Sequence, residues 1–128
     1  MNDESTIQQH IQIAAMNYGC NLMRNNNGAA QDKTGRLIRF GLGHISPNQQ
    51  IKSSDLIGIT KIVITPDMVG KTIGVFTAIE VKKADWNPNK KLDDHEIKQL
   101  NFLNFVTSMG GISAFANSVD NLKLIFRR

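Results

Sequence analysis

Two runs of β-branched residues on either side of a short turn constrain this chain more than any other feature. Residues 57–65 and 73–81 are rich in Ile, Val and Thr, side chains that suit a pleated, half-buried surface, and Pro66-Asp-Met-Val-Gly70 between them carries turn residues at both ends. The pattern predicts a hairpin-like pair of strands in the middle of a sheet. Around it, apolar positions Ile7, Ile11, Ala14, Ala15 and Tyr18 recur at helical spacing, and Gly19 follows where a helix end favours a left-handed residue, so residues 4–18 are expected to form an amphipathic helix. Leu22 and Met23 suggest a short strand. Residues 28–35 show no periodicity and read as loop, residues 36–40 as a strand ended by Gly41 and Gly43, and residues 44–54 as a second polar loop.

The strongest helix signal comes later. Asp93 as N-cap, Glu96 three residues on and Leu92 placed to pack on Ile97 announce a helix running to about Met109, where Gly110-Gly111 stops it. Residues 112–116 read as a strand, and Ser118 caps a short last helix carrying Leu122 and Ile125. The order αβββ(β)αβα predicts an α/β sandwich with a mixed central sheet flanked by helices, in one domain spanning residues 1–128. A chain of 128 residues buries roughly two-thirds of the surface its unfolded form exposes, enough to fold without staples. One cysteine, Cys20, excludes a disulfide within the chain, and with His10, His44 and His95 it offers no zinc-finger spacing. No apolar run approaches the roughly 18 residues of a membrane span, and Met1-Asn-Asp-Glu is acidic where a signal peptide is basic, so the expectation is a cytoplasmic protein with no membrane partner.

Fifteen Lys and Arg against eleven Asp and Glu give a net charge of +4, and the excess lies in the middle of the chain. Between Asp32 and Lys91 the cations Lys33, Arg36, Arg39, Lys52, Lys61, Lys71, Lys82, Lys83, Lys90 and Lys91 far outnumber the carboxylates. Such a surface suits a polyanion, though solvated basic faces are common in any soluble domain.

Chemistry concentrates at Ser54-Asp55 and Ile79-Glu-Val-Lys82. Alternation along a strand sends Glu80 and Lys82 to one side and Val81 to the other, which predicts Val81 in the core and the two charges together. On an edge strand they would be an ordinary solvated pair; on a central strand they are costly unless used. A hairpin reaching from Asp55 to Glu80 would bring two carboxylates to one strand end. With the Val81 carbonyl these are the hard oxygen ligands that Mg²⁺ or Mn²⁺ prefers. Lys82 beside such an ion could position or help deprotonate a water and offset charge on a phosphate, which is the chemistry of phosphodiester hydrolysis. Gln99 stands out separately: it shares a helical stripe with Phe102, Leu103 and Val106, so a polar amide among core positions should reach for a polar partner.

The arrangement D-x(n)-E-x-K resembles the PD-(D/E)xK, restriction-endonuclease-like superfamily. Glu4-Ser-Thr-Ile-Gln8, Arg24-Asn-Asn-Asn-Gly28, Ser54-Asp-Leu-Ile-Gly58, Ala78-Ile-Glu-Val-Lys82, Gln99-Leu-Asn-Phe-Leu103 and Gly110-Gly111, taken in order, resemble the VRR-NUC family, the virus-type replication-repair nuclease domain, over nearly the whole chain. The resemblance implies an αβββαβ core and a stand-alone DNA endonuclease. It implies Glu4, Asp55, Glu80, Lys82 and Gln99 as catalytic residues, with Asp55, Glu80 and the Val81 carbonyl holding Mg²⁺ or Mn²⁺ and no other cofactor. Ser54 replaces the proline of the superfamily name, and the loop of residues 42–54 is longer than the family's usual approach to that strand.

Several further residues carry two readings. Asn25, Asn26 and Asn27 with Gly28 could contact phosphates, although Asn-Gly is first a turn signal, and Arg24, Arg36 and Arg39 could line a DNA path. Trp86 is either a base-stacking residue or a lid on the core, and His95 reads as solvated. The helix of residues 93–109 is apolar around most of its circumference, so either the last helix or a second copy of the chain should cover it. A homodimer would carry two sites, which suits branched DNA such as four-way junctions. The rival reading is a catalytically inactive nucleic-acid-binding module on the same fold, from which Asp55, Glu80 or Lys82 would be expected to be lost.

Overall fold

The structure, a computed structural model, describes residues 3–26, 28–42 and 54–126, and the chain divides into two units, Met1–Gly58 and Ile59–Arg128. Asn27, Gly43 and nearly all of the expected loop at residues 44–54 lie outside the described residues. In the first unit, helix α1 (Glu4–Ala15) begins at Asp3, whose carboxylate accepts the Thr6 amide at 2.8 Å. Its continuation is a single 3₁₀ turn, Met16–Tyr18, ended by Gly19 at φ 74°. Strand β1 (Cys20–Arg24) follows, and the Gln12 amide donates to the Leu22 carbonyl at 3.2 Å, tying helix to strand.

Residues 28–31, expected as loop, form strand β2 (Gly28–Gln31), antiparallel to β3 (Leu37–Phe40) with Gly28 opposite Phe40 and Gln31 opposite Leu37. Asp32 is the cause. One of its carboxylate oxygens accepts the Thr34 amide (2.9 Å), the Thr34 hydroxyl (2.6 Å) and the Arg36 amide (2.9 Å), and Gly35 takes φ 84°. The turn chemistry closes the hairpin although Gly-Ala-Ala-Gln has little strand propensity. The same bonds, the Thr34 hydroxyl foremost, hold the Asp32 carboxyl below the usual aspartate range.

Strand β4 (Leu56–Thr60) pairs with β1, continued by the Asn25 amide donating to the Asp55 carbonyl at 2.9 Å. Gly58 makes the pairing possible, since a Cβ there would lie 1.9 Å from the Asn21 carbonyl oxygen.

The second unit is built on a parallel pair, β5 (Thr77–Val81) beside β6 (Ile112–Ala116), in register from Thr77 opposite Ile112 to Val81 opposite Ala116. Parallel neighbours need a crossover, and helix α2 (Asp94–Ser108) supplies it and packs on both strands. Both halves of its capping box form: the Asp93 carboxylate accepts the Glu96 amide (2.8 Å) and Glu96 returns to the Asp93 amide (3.2 Å). Gly110 at φ 91° ends it. Leu103, Val106 and Ala116 are buried, Val106 completely. The short helix α3 (Leu122–Ile125) packs on β6.

The hairpin expected from residues 57–65 and 73–81 is not formed. Strand pairing ends at Thr60 in the first run and begins at Thr77 in the second, the first run pairing with β1 and the second with β6. Parallel pairing under α2 covers β5 in a way a bare hairpin would not, and the arms between are left with Ile62, Val63, Ile64, Val69 and Ile73 exposed. In place of one mixed central sheet, the described residues form three two-stranded sheets, and the architecture is α/β with three α-helices. Among the described residues no helix is long and apolar enough to cross a membrane.

Gly58→Ala should therefore lower folding stability by about 1–3 kcal/mol or more, because the backbone of Asn21 has to move. A urea unfolding midpoint equal to that of the parent would show that β1 and β4 do not approach this closely in solution.

Candidate active site

Strand β5 presents its charges to the helix. Glu80 and Lys82 are half-buried while Val81 is 75 % exposed, the reverse of the expectation that Val81 points to the core. Gln99 of α2 explains the reversal. Its amide nitrogen donates to Glu80 Oε1 at 2.7 Å, and its oxygen accepts from Lys82 Nζ at 2.6 Å. One neutral amide thus satisfies an anion and a cation two residues apart on the strand, so the charged side of β5 can face the helix without leaving a group unpaired.

A second carboxylate completes the cluster. Glu96 Oε2 lies 3.4 Å from Lys82 Nζ and accepts the Trp86 indole N–H at 2.7 Å, and the Lys82 and Glu96 side chains are 14 % and 15 % exposed. Lys82 also stands 5.3 Å from the centroid of the Phe115 ring, against which Trp86 packs with centroids 5.2 Å apart. The Asp93 amide, then the Trp86 indole, then Lys82 hold the Glu96 carboxyl below the ordinary glutamate value of 4.5. His95 Nε2 is 3.2 Å from Gln99 Nε2; with one amide hydrogen given to Glu80, the other can go to a His95 nitrogen that accepts.

The ammonium of Lys82 is committed to Gln99 and Glu96, and among the described residues Glu80 has no cationic partner. From sequence, Glu96 reads as a helix cap alone and His95 as solvated; His95 is exposed, and what the sequence reading lacks is the Glu96 contact with Lys82 and the His95 contact with Gln99. The signal that would have found both was their spacing from Gln99, three and four residues back on one helix face.

The structure brings together Glu80, Lys82 and Gln99. Asp55 and Glu4 belong to the first unit, both exposed, Asp55 directly before β4 and Glu4 as the first residue of α1. Ser54 donates its hydroxyl to the Leu56 carbonyl at 2.7 Å, and its own carbonyl accepts the Asn25 side-chain amide at 2.9 Å. Arg24 ends β1 and is exposed, as are Asn26 and Arg36; Arg39 stands on β3 opposite Ala29. Among the described residues no group of three or more His, Cys, Asp or Glu side chains is gathered as a metal would require. Within the second unit the oxygen donors around Lys82 are the Glu96 carboxylate and the Gln99 side-chain oxygen, both in contact with its ammonium, together with the Glu80 carboxylate and the backbone carbonyl of Val81, the latter on an exposed residue. Comparison with known proteins gives no match to this chain among family models, curated proteins or solved structures.

Because the folded Glu96 keeps its charge to lower pH than the unfolded one, it contributes stability above pH 4.5 that is lost as the pH falls through its depressed folded value. Glu96→Gln should accordingly be less stable than the parent at neutral pH, with a gap that holds down to about pH 4.5 and closes below it. Urea midpoints of both proteins between neutral pH and about pH 3 measure it; a gap independent of pH would mean that the charge of Glu96 is not what the cluster uses.

Proposed function

We propose that this chain is a divalent-metal-dependent nuclease of the VRR-NUC type, hydrolysing phosphodiester bonds in DNA on a restriction-endonuclease-like αβββαβ core. One observation carries the reading: Glu80 is a half-buried carboxylate with no cationic partner among the described residues, although a lysine stands two positions away on the same strand face. A pair kept only for its charge would have Lys82 on Glu80. Here Gln99 separates them and leaves carboxylate oxygen for another cation.

The donor set fits a hard divalent ion, since it offers carboxylate and carbonyl oxygen and no sulfur. Glu80 and the Val81 carbonyl would hold Mg²⁺ or Mn²⁺, and the resemblance adds Asp55 to the ligands and Glu4 to the site. When bound, such an ion supplies positive charge for the phosphate and makes its water more acidic. Lys82, held by Gln99 and Glu96, presents an ammonium whose charge and N–H bonds suit the oxygens where negative charge develops. Gln99 positions Lys82 and Glu80 by hydrogen bonds alone. Arg24, Asn26, Arg36 and Arg39 are assigned to the DNA path by their charge and hydrogen-bonding capacity, in a protein this reading places in the cytoplasm.

Glu80→Ala should lose Mn²⁺ binding in a calorimetric titration together with cleavage of labelled DNA. Lys82→Ala should keep Mn²⁺ and lose turnover by about a hundredfold or more, the scale of one positioned electrostatic or acid–base group. Unchanged Mn²⁺ affinity in Glu80→Ala removes the metal assignment, and DNA binding without metal-dependent cleavage in the parent leaves a binding module.

The reading includes a second copy of the chain. α3 packs on β6, and Ile97 and Phe102 of α2 remain 43 % and 40 % exposed. A twofold partner would cover them and supply the second site that paired incision of a branched DNA requires. Light scattering at micromolar concentration should give about twice 14.2 kDa; a mass of 14.2 kDa removes the dimer.

A further inference from the structure

Beyond Glu96 the second unit holds a cavity of about 210 Å³, lined by Trp86, Asn87, Lys90, Lys91, Asp93 and Glu96. It is smaller than the roughly 300–1,000 Å³ of a drug-sized site, and its walls are of three kinds. The first is aromatic: Trp86, the one tryptophan of the chain, is held by its indole N–H on Glu96 at 2.7 Å and by Phe115 at 5.2 Å between centroids. The second is cationic. A turn in which Lys90 donates its amide to the Asn87 carbonyl at 3.1 Å carries Lys90 and Lys91, both exposed and without an ion-pair partner among the described residues. The third is anionic: Glu96 is paired with Lys82 and also accepts from Asp93 and Trp86, while Asp93 accepts the neutral Glu96 amide and keeps its charge. What the cavity offers a ligand is a fixed aromatic ring beside two lysines, which outnumber Asp93, its one carboxylate without a cationic partner among the described residues.

We infer that this cavity is a subsite for one unpaired nucleotide of a DNA strand, its base against Trp86 and its flanking phosphates on Lys90 and Lys91. Stacking on a rigid ring is tolerant of base identity, and two lysines supply the sequence-independent part of the affinity. The inference rests on the nuclease reading for the choice of DNA as ligand, and it deepens it, since Glu96 borders the cavity and contacts Lys82. A nucleotide held here is one side chain away from the lysine assigned to the scissile phosphate. A continuous duplex keeps its bases stacked inside, whereas a flap, gap or junction offers a base free to enter. The subsite therefore selects DNA with unpaired nucleotides.

The lone tryptophan reports on its own site. In EDTA, where no metal and no cleavage are involved, titration of the full chain with oligothymidylate should quench Trp86 fluorescence saturably. A blunt duplex of equal length should quench it far less. The joint variant Lys90→Gln, Lys91→Gln changes only exposed side chains and should bind at least about tenfold more weakly at low salt. Its plot of log K against log salt should be shallower by about 1.4, or about 0.7 for each of the two phosphates left without a lysine. In an anisotropy assay with a labelled oligonucleotide, Trp86→Phe should retain most of the affinity and Trp86→Leu should lose about tenfold or more, the scale of one base stack.

Oligonucleotide binding without quenching, equal quenching by duplex, or an unchanged salt slope in the lysine variant would each overturn the subsite. Metal-dependent cleavage alongside any of those results would leave the nuclease standing without it. Quenching and its loss in the lysine variant, in a protein that cleaves nothing, would support the subsite and sink the nuclease.

Discussion

The amide of Gln99 is the group on which the second unit is organised. Its two hydrogen bonds allow a carboxylate and an ammonium to lie half-buried between a strand and the helix that packs on it, where an unpartnered polar group would carry a desolvation cost. Remove the amide and the docking of α2 on β5 leaves Glu80 unpaired and Lys82 with Glu96 alone. Keep it, and the charged side of β5 faces the helix, Val81 turns outward, and the parallel pairing with β6 can sit beneath α2. Gln99 thus separates Glu80 from Lys82 and lets the charged side of β5 face a helix whose docking also buries Leu103 and Val106.

How much of this was legible in sequence depended on whether a local rule was enough. The ends of α2 were readable because Asp93, Glu96 and Gly110 each do there what their chemistry favours within one turn of chain. Gly19 behaves likewise after α1, and Gln99 was marked by its stripe. The facing of β5 was not readable: alternation separates two faces without saying which is covered, and hydrophobicity pointed to Val81 when a helix amide decided otherwise. The partner of each β-branched run was equally hidden, because propensity has a period of two whether a strand pairs with its sequence neighbour or with one far along the chain. Residues 28–31 show the opposite failure, in which Asp32 closes a hairpin that the strand residues themselves do not announce.

Glu96 escaped notice because a sufficient explanation was already at hand. A glutamate three residues after an N-cap aspartate has a role in the cap, and one oxygen performs it at 3.2 Å from the Asp93 amide. The other oxygen meets Trp86 and Lys82, and nothing in the local sequence requires that. Such double use follows from geometry: the first turn of a helix crossing over a parallel pair lies near the carboxyl end of the strand it leaves, so a capping residue there is within reach of the chemistry carried at that end.

That position also makes Glu96 a physical link between two sites. Its Oε2 accepts from the indole that walls the cavity and lies beside the ammonium of Lys82, so the strength of either interaction alters the charge left for the other. On the proposed reading, a base resting on Trp86 would restrict the indole and strengthen its hydrogen bond to Glu96, and phosphates on Lys90 and Lys91 would add negative potential on the same side. The first change would reach Lys82 through the Glu96 carboxylate and the second directly through space. By reciprocity, whatever draws Lys82 toward a phosphate at Glu80 must change affinity for a nucleotide in the cavity by the same factor. On that reading, binding of a strand and placement of the ammonium would be coupled, and the coupling would pass through a residue whose first task is to start a helix.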